Sequence, residues 1–435
     1  MQRAPSGTDS SRGQRAQMAL VSTRCVLIAL VFSLIPAPAS AATTVTITGG
    51  GFGHGIGMSQ YGAYGQAVAG RTVDQILAHY YTDTELAVAP MPRIRVGLLQ
   101  ATPSISLTSV AGETGTGKIR FKVLGRQGFI AEGSPSDAWS LDASPAGGVV
   151  LSKNGAVVAG TATDSPASVV VKYTRFGSRV KVIQKGREYA YGRLEVAAYA
   201  STSCAGGNCL RLVNSLMTES YLYGLGEVPS SWPVEALKAQ IIAARTYAYR
   251  KHVLLGDHRQ PCDCTIVDSA AEQVYLGDSK RTASGSYWTR WTDAVDSTKG
   301  AILTYQGQPI NAMYSASSGG HTENSENIWG TAPVPYLRGV DDPYDDISAN
   351  PYHSWTVKMS WSDFSAKLDA YFNTGDLQSF EIIAPLGVSG RVTAVTQSGG
   401  GVRIVGSAKT VRVSGASVKS ALGLRDTLFQ VAYSD

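Results

Sequence analysis

The sequence predicts an α+β fold that is rich in β-structure and built around one buried helix. Three observations support this prediction: alternating strand patterns between about residues 93 and 212, an alanine-rich helical pattern over residues 233–250, and further strand patterns after residue 390. Charged residues make up 16% of the 435 residues, and 47 residues are glycine. Soluble domains typically have about 25% charged residues and about 7% glycine, so this composition favours an exported, β-rich protein over a disordered chain or a coiled coil.

The charge of the chain argues against a nucleic-acid partner. The formal net charge is +5, but residues 1–41 contain four arginines and one aspartate, so most of the excess lies in that segment. The small remainder is too dispersed to form a phosphate-binding surface.

Residues 1–41 have the pattern of a secretion signal. An arginine-bearing start leads into the apolar run at residues 25–35 and then into Pro-Ala-Pro-Ala-Ser-Ala, which predicts cleavage after Ala41. The alternative is an uncleaved anchor, but the apolar run is shorter than the roughly 20 residues of a spanning helix. Because no later segment resembles a spanning helix, we expect a secreted protein that acts outside the cytoplasmic membrane.

Four cysteines remain after the predicted cleavage: Cys204, Cys209, Cys262 and Cys264. An even number in an exported chain favours disulfides. Cys204–Cys209 is the simplest pair. A Cys262–Cys264 bridge would close a small ring, which leaves cross-pairing open. A metal site built from His252 and His258 with Cys262 and Cys264 fits no common zinc spacing and ranks below the disulfides, so no metal is expected.

The elements follow in order along the mature chain. A strand pattern at residues 43–48 precedes a glycine-rich loop, and a helical pattern covers residues 72–80. Strands punctuated by Gly, Ser and Pro then continue to residue 212, with Ile94, Val96 and Leu98 alternating with polar residues. After the main helix, a second helix is predicted over residues 363–372, and strands over residues 391–395, 402–405 and 410–413. The predicted divisions are 1–41, 42–90, 91–210 and 211–435.

The main helix begins at Pro233, a residue suited to the first helical turn. Its alanines permit close packing against neighbouring elements, so a buried helix is predicted. One face carries the apolar residues Val234, Leu237, Ile241, Ala244 and Ala248.

Glu227 is the most interesting acid in the chain. It lies in the turn before the main helix, with Tyr223, Val228 and Trp232 nearby in sequence. A carboxyl group in an apolar setting tends to have a raised pKa, which suits a general acid. The alternative is a solvated loop residue, and Glu219 and Glu235 are rival acids. The helix dipole explains an acid at position 235.

Three further segments are candidates for ligand contacts. The glycine-rich loop at residues 49–63 has no dinucleotide-binding spacing, yet it can bring its backbone close to a ligand or serve as a structural turn. Residues 314–329 are dense in hydroxyls, amides and acids between aromatics, which fits a carbohydrate site or a polar loop. Residues 341–346 can hold a cation through oxygen ligands or form an ordinary acidic turn.

Three blocks of this sequence resemble the SpoIID/LytB family of cell-wall proteins. The first runs from Glu-Ser-Tyr-Leu-Tyr-Gly at residues 219–224 through Trp-Pro-Val-Glu-Ala-Leu-Lys-Ala-Gln to residue 247. The second is Tyr-Ser-Ala-Ser-Ser-Gly-Gly-His-Thr-Glu-Asn at residues 314–324, preceded by Gln-Val-Tyr at residues 273–275. The third is Gly-His-Gly-Ile-Gly-Met-Ser-Gln-Tyr-Gly-Ala at residues 53–63. The resemblance spans most of the mature chain.

The resemblance implies a β-rich SpoIID/LytB-like domain and peptidoglycan lytic transglycosylation. Such enzymes cleave the bond between N-acetylmuramic acid and N-acetylglucosamine in glycan strands, here with denuded strands as the expected substrate. The catalytic acid of the family aligns with Glu227, which would act alone and leave a 1,6-anhydro-muramoyl end. No cofactor is implied. The residues implied as substrate-binding are His54, Gln60, Tyr61, Arg245, Gln273, Tyr275, Tyr314, Ser315, Ser317 and His321.

Two departures from the family pattern stand out. The Gly-His-Gly block usually lies near the C-terminus but precedes the other blocks here, so we expect it to pack in permuted order. The turn before Glu227 is also two residues shorter than the usual form. Two other functions remain open: a non-catalytic glycan-binding enhancer of a separate cell-wall amidase, and a hydrolase that uses water with Glu219 or an Asp as a second acid.

Overall fold

The computed structural model describes residues 44–113, 115–160 and 165–434. The predicted signal segment at residues 1–41 lies outside these residues. Within them, no helix has the length and apolar character needed to cross a membrane. The mixture of strands and helices is compatible with the predicted α+β class.

Most of the strands lie in the first half of the described chain. The strands are β1 (Thr44–Gly50), β2 (Met58–Ser59), β3 (Glu85–Val88), β4 (Arg93–Thr102), β5 (Ser104–Ala111), β6 (Ile119–Val123), β7 (Ala131–Gly133), β8 (Ala138–Ala143), β9 (Val149–Lys153), β10 (Ala156–Ala159), β11 (Ser168–Lys172), β12 (Ser178–Val182), β13 (Arg187–Tyr189), β14 (Arg193–Ala200), β15 (Asn208–Met217), β16 (Ile266–Val267), β17 (Ala301–Tyr305), β18 (Gln308–Pro309), β19 (Tyr314–Ser315), β20 (Trp355–Ser360), β21 (Leu377–Ile382), β22 (Val402–Gly406), β23 (Thr410–Val413) and β24 (Leu428–Ser434).

The helices lie mainly before and after this strand-rich region. They are α1 (Gln60–Val68), α2 (Val73–Tyr80), α3 (Thr218–Tyr223), α4 (Val234–Leu255), α5 (Ser279–Ser284), α6 (Trp288–Ser297), α7 (Ser325–Trp329), α8 (Trp361–Phe372) and α9 (Gly415–Leu422). Short 3-10 helices occur at Thr174–Phe176, Ile183–Lys185, Gly285–Tyr287 and Pro343–Asp345. The predicted helices at 72–80 and 363–372 are therefore confirmed. A reciprocal capping box formed by Thr72 and Gln75 begins α2.

The strand-rich region forms two larger sheets around one core. One sheet has the order β10-β9-β8-β5-β12-β13, and the other has the order β16-β4-β15-β14-β11-β6-β7. The strand predicted from Ile94, Val96 and Leu98 is confirmed as β4, but Arg95 and Gly97 between them are buried as well, so burial does not alternate there. This core also includes Leu237 and Trp291 from beyond residue 210. The predicted divisions at residues 90 and 210 stay predictions.

Helix α4 packs against two cores at once. Leu237, Ile241 and Ala244 belong to the core of the two sheets, whereas Ala239 and Ile242 belong to a second core that includes the glycine-rich segment. Small alanine side chains allow both contacts, which explains why the helix is apolar on more than one side. The helix extends to Leu255, five residues beyond the predicted end, and Val234 on its predicted apolar face is 41% exposed.

The two ends of the described chain lie in one small sheet. Strand β1 pairs on one edge with β20 and on the other with β24, both antiparallel. Strands β22 and β23 confirm the patterns at 402–405 and 410–413. The prediction of a strand at 391–395 is wrong, because these residues form no strand. The Val392 N–H donates to Thr427 O and the Ala394 N–H donates to Asn327 O, so the stretch hydrogen-bonds two different segments and pairs with no neighbouring strand.

Both disulfides are local. Cys204 is bonded to Cys209, and Cys262 to Cys264, so the cross-pairing that the sequence left open is not adopted. No group of three or more His, Cys, Asp or Glu side chains suited to a metal occurs in the described residues. In the segment considered for metal, His252 contacts Asp257 and His258 contacts Asp263.

Candidate functional site

The turn that carries Glu227 is fixed by pairing with residues 274–276. The Gly226 N–H donates to Val274 O at 2.8 Å, and the Leu276 N–H donates to Gly224 O at 2.7 Å. Glycine is required at position 224, because a Cβ there would lie 2.5 Å from the ring of Tyr275 and 2.9 Å from the Cα of Gly277. This close approach directs the Glu227 carboxyl toward the same segment, where Oε1 accepts the Val274 N–H at 2.6 Å.

Burial raises the pKa of Glu227 to about 7. Hydrogen bonds from the Val274 N–H, Tyr314 and Gln60 oppose this rise, and so does the positive charge of Lys280, but burial outweighs them. The direct donors to this carboxyl are neutral groups. A carboxyl with such a pKa is protonated in a large fraction of molecules at neutral pH and can both give and take a proton.

Gln60 reaches Glu227 from the glycine-rich segment. It is the first residue of α1, whose N-terminus is capped by the hydroxyl of Ser59. The Gln60 amide donates to Gln240 Oε1 at 3.1 Å and also hydrogen-bonds with Glu227. Since Gln240 belongs to α4 and is 1% exposed, the helix core orients the amide beside the acid.

Tyr314 is oriented by a chain of buried hydrogen bonds. The Tyr221 hydroxyl donates to Gln273 Oε1 at 2.8 Å, and Gln273 Nε2 donates to the Tyr314 hydroxyl oxygen at 2.9 Å. Because Tyr314 accepts from Gln273, its own O–H is available for Glu227. Gln273 is fully buried, so it acts through Tyr314 and has no exposed surface for a ligand.

The glycine-rich segment lies along residues 314–318. Strand β2 pairs in parallel with β19, and the Tyr61 N–H donates to Ala316 O at 3.0 Å. His54 braces the same segment: its Nδ1 accepts the Ile56 N–H at 3.0 Å, and it hydrogen-bonds the carbonyl of Tyr314. Burial and the nearby charges of Lys419 and Arg391 lower the pKa of His54 to about 4, so the ring is neutral at physiological pH.

Lys280 is a functional candidate that sequence reasoning missed. Its side chain is almost completely buried, and Nζ donates to Val228 O at 2.6 Å, directly after the acid. The ammonium also lies 4.3 Å from the centre of the Trp291 ring. Burial lowers the pKa of Lys280 to about 8. The sequence around it is polar and gives no signal that this lysine is buried.

Arg245 and Glu219 form a separate ion pair. Arg245 is fully buried, and its Nη2 lies 2.8 Å from Glu219 Oε2. Glu219 also accepts the Gly300 N–H at 2.9 Å, and Arg245 donates to the carbonyls of Val295 and Ala301. The predicted substrate residue and the rival acid therefore neutralise each other and join α3, α4 and the segment after α6.

Tyr275 and Ser315 are also largely enclosed. Tyr275 is 1% exposed, stacks on Tyr221 with ring centres 5.1 Å apart, and accepts a hydrogen bond from the Asn214 amide at 3.2 Å. Ser315 packs against Gly53, where an added Cβ would lie 2.4 Å from the serine Cβ. Both residues support the backbone around Glu227 and Tyr314.

Residues 341–346 form a structural turn. Buried Asp345 accepts hydrogen bonds from the hydroxyls of Ser59 and Ser317, each at 2.8 Å. Buried Asp342 accepts from Tyr80 at 2.9 Å, and burial next to Asp345 raises the pKa of Asp342 to about 7. Ser317 is thus engaged in the turn.

His321 pairs with the rim of the same turn. Its Nε2 lies 3.4 Å from Asp341, and its Nδ1 lies 2.6 Å from the carbonyl of Thr322. Among the predicted site residues, the structure therefore joins Glu227, Gln60, Tyr314, Gln273 and His54 in one network, whereas the contacts of Arg245, Ser317 and His321 lead elsewhere.

Comparison with known proteins gives consistent similarities. Residues 207–305 match the family model described as SpoIID, stage II sporulation protein, and this region includes Glu227 and Lys280. The stage II sporulation protein D of Bacillus subtilis (strain 168) is 32% identical over 225 residues, which is 50% of this chain and 61% of the relative. An uncharacterized protein of Brachyspira hyodysenteriae is 39% identical over 188 residues, 43% of this chain and 45% of the relative.

A further relative carries a different name. The amidase enhancer of Bacillus subtilis (strain 168) is 39% identical over 142 residues, which is 32% of this chain and 17% of the relative. The chain spans less than two thirds of the length of each of these curated relatives.

Proposed function

This chain is a SpoIID/LytB family protein, and from that premise we propose that it is an exported peptidoglycan lytic transglycosylase whose single acid and base is Glu227. Its substrate is the glycan strand of the cell wall, and it acts outside the cytoplasmic membrane. The observation that carries the proposal is the buried Glu227 carboxyl, whose pKa is raised to about 7 while neutral donors hold it in place.

In the proposed reaction, Glu227 transfers its proton to the glycosidic oxygen as the bond to the anomeric carbon of the muramoyl unit breaks. The resulting carboxylate then takes the proton of the C6 hydroxyl of that unit. The C6 oxygen bonds to the anomeric carbon, which gives a 1,6-anhydro end. Glu227 ends protonated, as it began, so the cycle needs no cofactor and no water.

The surroundings of Glu227 favour one acid over two. An ordinary glycosidase uses a pair of carboxyl groups. Among the described residues, the groups that chiefly set the pKa of Glu227 include no other carboxylate, and Glu219 is bound to Arg245. A mechanism in which the substrate supplies its own nucleophile suits this arrangement better than attack by water.

Each neighbour has a separate task in this proposal. The Val274 N–H and Gln60 hold the carboxyl in one orientation, which keeps the acid aligned with the glycosidic oxygen. Tyr314 donates to the carboxylate after the proton has left. The charge of Lys280 stabilises the same carboxylate, so that the pKa does not rise beyond the range useful at neutral pH.

The test is product analysis. Purified protein is incubated with denuded glycan strands, and the products are identified by mass spectrometry beside those of Glu227→Gln. We expect anhydro-muramoyl ends from the parent protein and none from the variant. Products with ordinary reducing ends would instead indicate hydrolysis by water and would overturn the proposed mechanism.

A second candidate function comes from the name of one relative, the amidase enhancer. In that case the protein binds glycan strands and raises the activity of a separate cell-wall amidase. Turnover by the purified protein alone separates the two functions. If the strands bind but no product forms, and an added amidase becomes more active, the enhancer function replaces the transglycosylase.

A further inference from the structure

Phe52 stands at the surface of the glycine-rich loop and has no part in the chemistry proposed above. Its side chain is 40% exposed. A single exposed apolar residue is common and needs no explanation. Phe52, however, lies between two glycines of positive φ and pairs through its backbone with Ser317. The Phe52 N–H donates to Ser317 O at 2.9 Å, and the Ser317 N–H donates to Phe52 O at 3.3 Å.

The glycines on either side of Phe52 keep the loop in this form. Gly51 has a φ of 80° and Gly53 a φ of 134°, which other residues rarely adopt. An added Cβ at Gly53 would lie 2.4 Å from Ser315 Cβ, and one at Gly51 would lie 2.8 Å from Asp426 Oδ2. These contacts leave room for glycine alone on either side of Phe52, whose side chain stays partly exposed to solvent.

The ring of Phe52 begins a continuous row of aromatic side chains. Phe52 lies 4.8 Å from Tyr352 between ring centres, and Tyr352 lies 6.0 Å from Tyr61. Tyr61 in turn lies 5.2 Å from Trp232, and Trp232 lies 5.2 Å from Tyr64. We call Phe52, Tyr352, Tyr61, Trp232 and Tyr64 the aromatic strip. Its last four members are partly exposed as well.

The rings of the aromatic strip brace one another. Their planes meet at angles between 50° and 79°, the edge-on and tilted contacts that aromatic pairs prefer. The guanidinium of Arg425 lies 5.2 Å from the centre of the Tyr352 ring, which adds a cation–π contact. Because the rings are already ordered, they lose little side-chain entropy when a ligand binds to them.

Two rings of the aromatic strip are close in the chain to residues of the proposed site. Tyr61 directly follows Gln60, which hydrogen-bonds Glu227, and Trp232 ends the turn that Glu227 begins. Three separate parts of the chain supply the rings: the glycine-rich segment, the turn before α4 and the segment after the acidic turn. A strand bound at Glu227 would reach the strip at Tyr61 and Trp232.

We propose that the aromatic strip is an extended platform for the pyranose rings of a glycan strand, with Phe52 and Tyr352 binding sugar units remote from the scissile bond. Tyr and Trp rings offer an apolar surface for the C–H face of a sugar and a polar group for its hydroxyls. Binding energy from sugar units far from the scissile bond can offset the cost of orienting and distorting the reacting unit. Long strands should therefore react faster than short ones. The inference rests on the proposed function only in taking a glycan strand as the ligand.

The experiment measures binding in a protein that cannot turn the substrate over. In a Glu227→Gln background, Phe52→Ala and Tyr352→Leu are compared with the parent for binding to denuded strands of increasing length. Tyr371→Ala is the matched control, since Tyr371 is an aromatic on α8 that is 54% exposed and contacts Phe372. We expect each strip variant to bind long strands about threefold to tenfold more weakly, with little change for a single disaccharide unit and none for the control.

Two results with the strip variants overturn the platform: long strands that bind these variants as tightly as the parent, or an equal loss of binding at every strand length. A parent that binds no denuded strand also overturns it. Turnover is measured separately in proteins that retain Glu227. If strands bind with the expected length dependence but no anhydro product forms, the platform stands and the proposed transglycosylase fails.

Discussion

Two acids eight residues apart have opposite surroundings: Glu219 lies in the first turn of the short helix α3, and Glu227 lies in the turn that follows it. Glu219 meets the guanidinium of buried Arg245 at 2.8 Å and also accepts the Gly300 N–H. Glu227 accepts a hydrogen bond from the Val274 N–H at 2.6 Å and is also hydrogen-bonded to Gln60 and Tyr314. All three donors are neutral. Both carboxyls are largely enclosed, so the difference lies in whether a cation compensates the buried charge by direct contact.

In the proposed function, this difference separates a structural acid from the reactive one. A buried carboxylate in contact with a guanidinium gains enough from the ion pair to remain charged, and removing either partner leaves an uncompensated charge. A buried carboxyl among neutral donors keeps its proton more easily, which is why the pKa of Glu227 rises to about 7. The comparison predicts that substitutions at the two acids will affect different measured quantities.

The largest expected effect is on turnover in Glu227→Gln. Loss of a general acid typically costs about 10²-fold to 10⁴-fold in rate, and glutamine retains the shape and the hydrogen-bonding ability of the protonated carboxyl. We therefore expect turnover to fall by that range while the free energy of unfolding stays near that of the parent. Rates on denuded strands and thermal unfolding of the same samples provide the two measurements.

Glu219→Gln is the matched control for this prediction. It should lower the free energy of unfolding, because Arg245 keeps its buried charge without a charged partner, and the folded fraction should still react at nearly the parent rate. A folded Glu219→Gln protein without turnover would remove the distinction between the two acids and support a mechanism with a second carboxyl.

The next largest effect is on the free energy of unfolding when the Arg245–Glu219 ion pair is broken. Arg245→Met leaves Glu219 buried without its cation, and breaking such a pair costs about 3–5 kcal/mol of unfolding free energy. The double variant Glu219→Leu/Arg245→Met should recover most of that loss, because two apolar side chains need no compensation. Urea denaturation of the three proteins measures the effect.

The same helix offers a control for Arg245→Met. Lys238 pairs with Glu235 at 2.8 Å near the surface, and Lys238→Met should cost less than about 1 kcal/mol. If Arg245→Met were as stable as Lys238→Met but bound glycan strands more weakly, then Arg245 would be a substrate residue, as the family resemblance implied.

The sequence predicted the parts of the fold that depend on local patterns. The existence of β4 and of α4 follows from patterns of residues close together in the chain, so both could be recognised. The pattern at residues 391–395 was misleading, since Val392 and Ala394 have the alternation of a strand but donate their N–H groups to two distant segments. Local alternation does not determine which distant segments will pair with a stretch of chain.

The candidate site was predictable to the extent that motifs carried it. Glu227, Gln60 and Tyr314 lie in blocks that resemble the family, and the structure brings these three together. Lys280 could not be found, because its burial depends on Trp291 and Val228 from other parts of the chain. The burial of Arg245 depends in the same way on the positions of Glu219 and of the carbonyls after α6.

The pH dependence of the reaction sharpens the comparison further. Because the proposed reaction begins with protonated Glu227, kcat/KM should fall as pH rises through the raised pKa of about 7, well above the ordinary pKa of a glutamate near 4.3. A pH–rate profile on denuded strands measures this decline. If kcat/KM already declined between pH 4 and 5, Glu227 would have an ordinary pKa and would not be the acid.

The smallest expected effect concerns Lys280, whose positive charge acts on Glu227. The charge of Lys280 lowers the pKa of Glu227 without a direct hydrogen bond between the two side chains. In Lys280→Met the decline in kcat/KM should therefore move to higher pH, by about half a unit or about 0.7 kcal/mol. Methionine keeps an apolar chain over Trp291. It has no hydrogen-bond donor, so the Val228 carbonyl loses the bond from Nζ.

Lys280→Arg separates charge from geometry. It retains the positive charge, so the pH at which kcat/KM declines should stay near that of the parent even if the altered shape lowers the rate. Lys280 itself has a pKa of about 8, so it is charged while Glu227 titrates and its own deprotonation follows at higher pH. An unchanged profile in folded Lys280→Met would mean that burial and the neutral donors set the pKa of Glu227 without help from a cation, in contrast to the direct ion pair of Glu219.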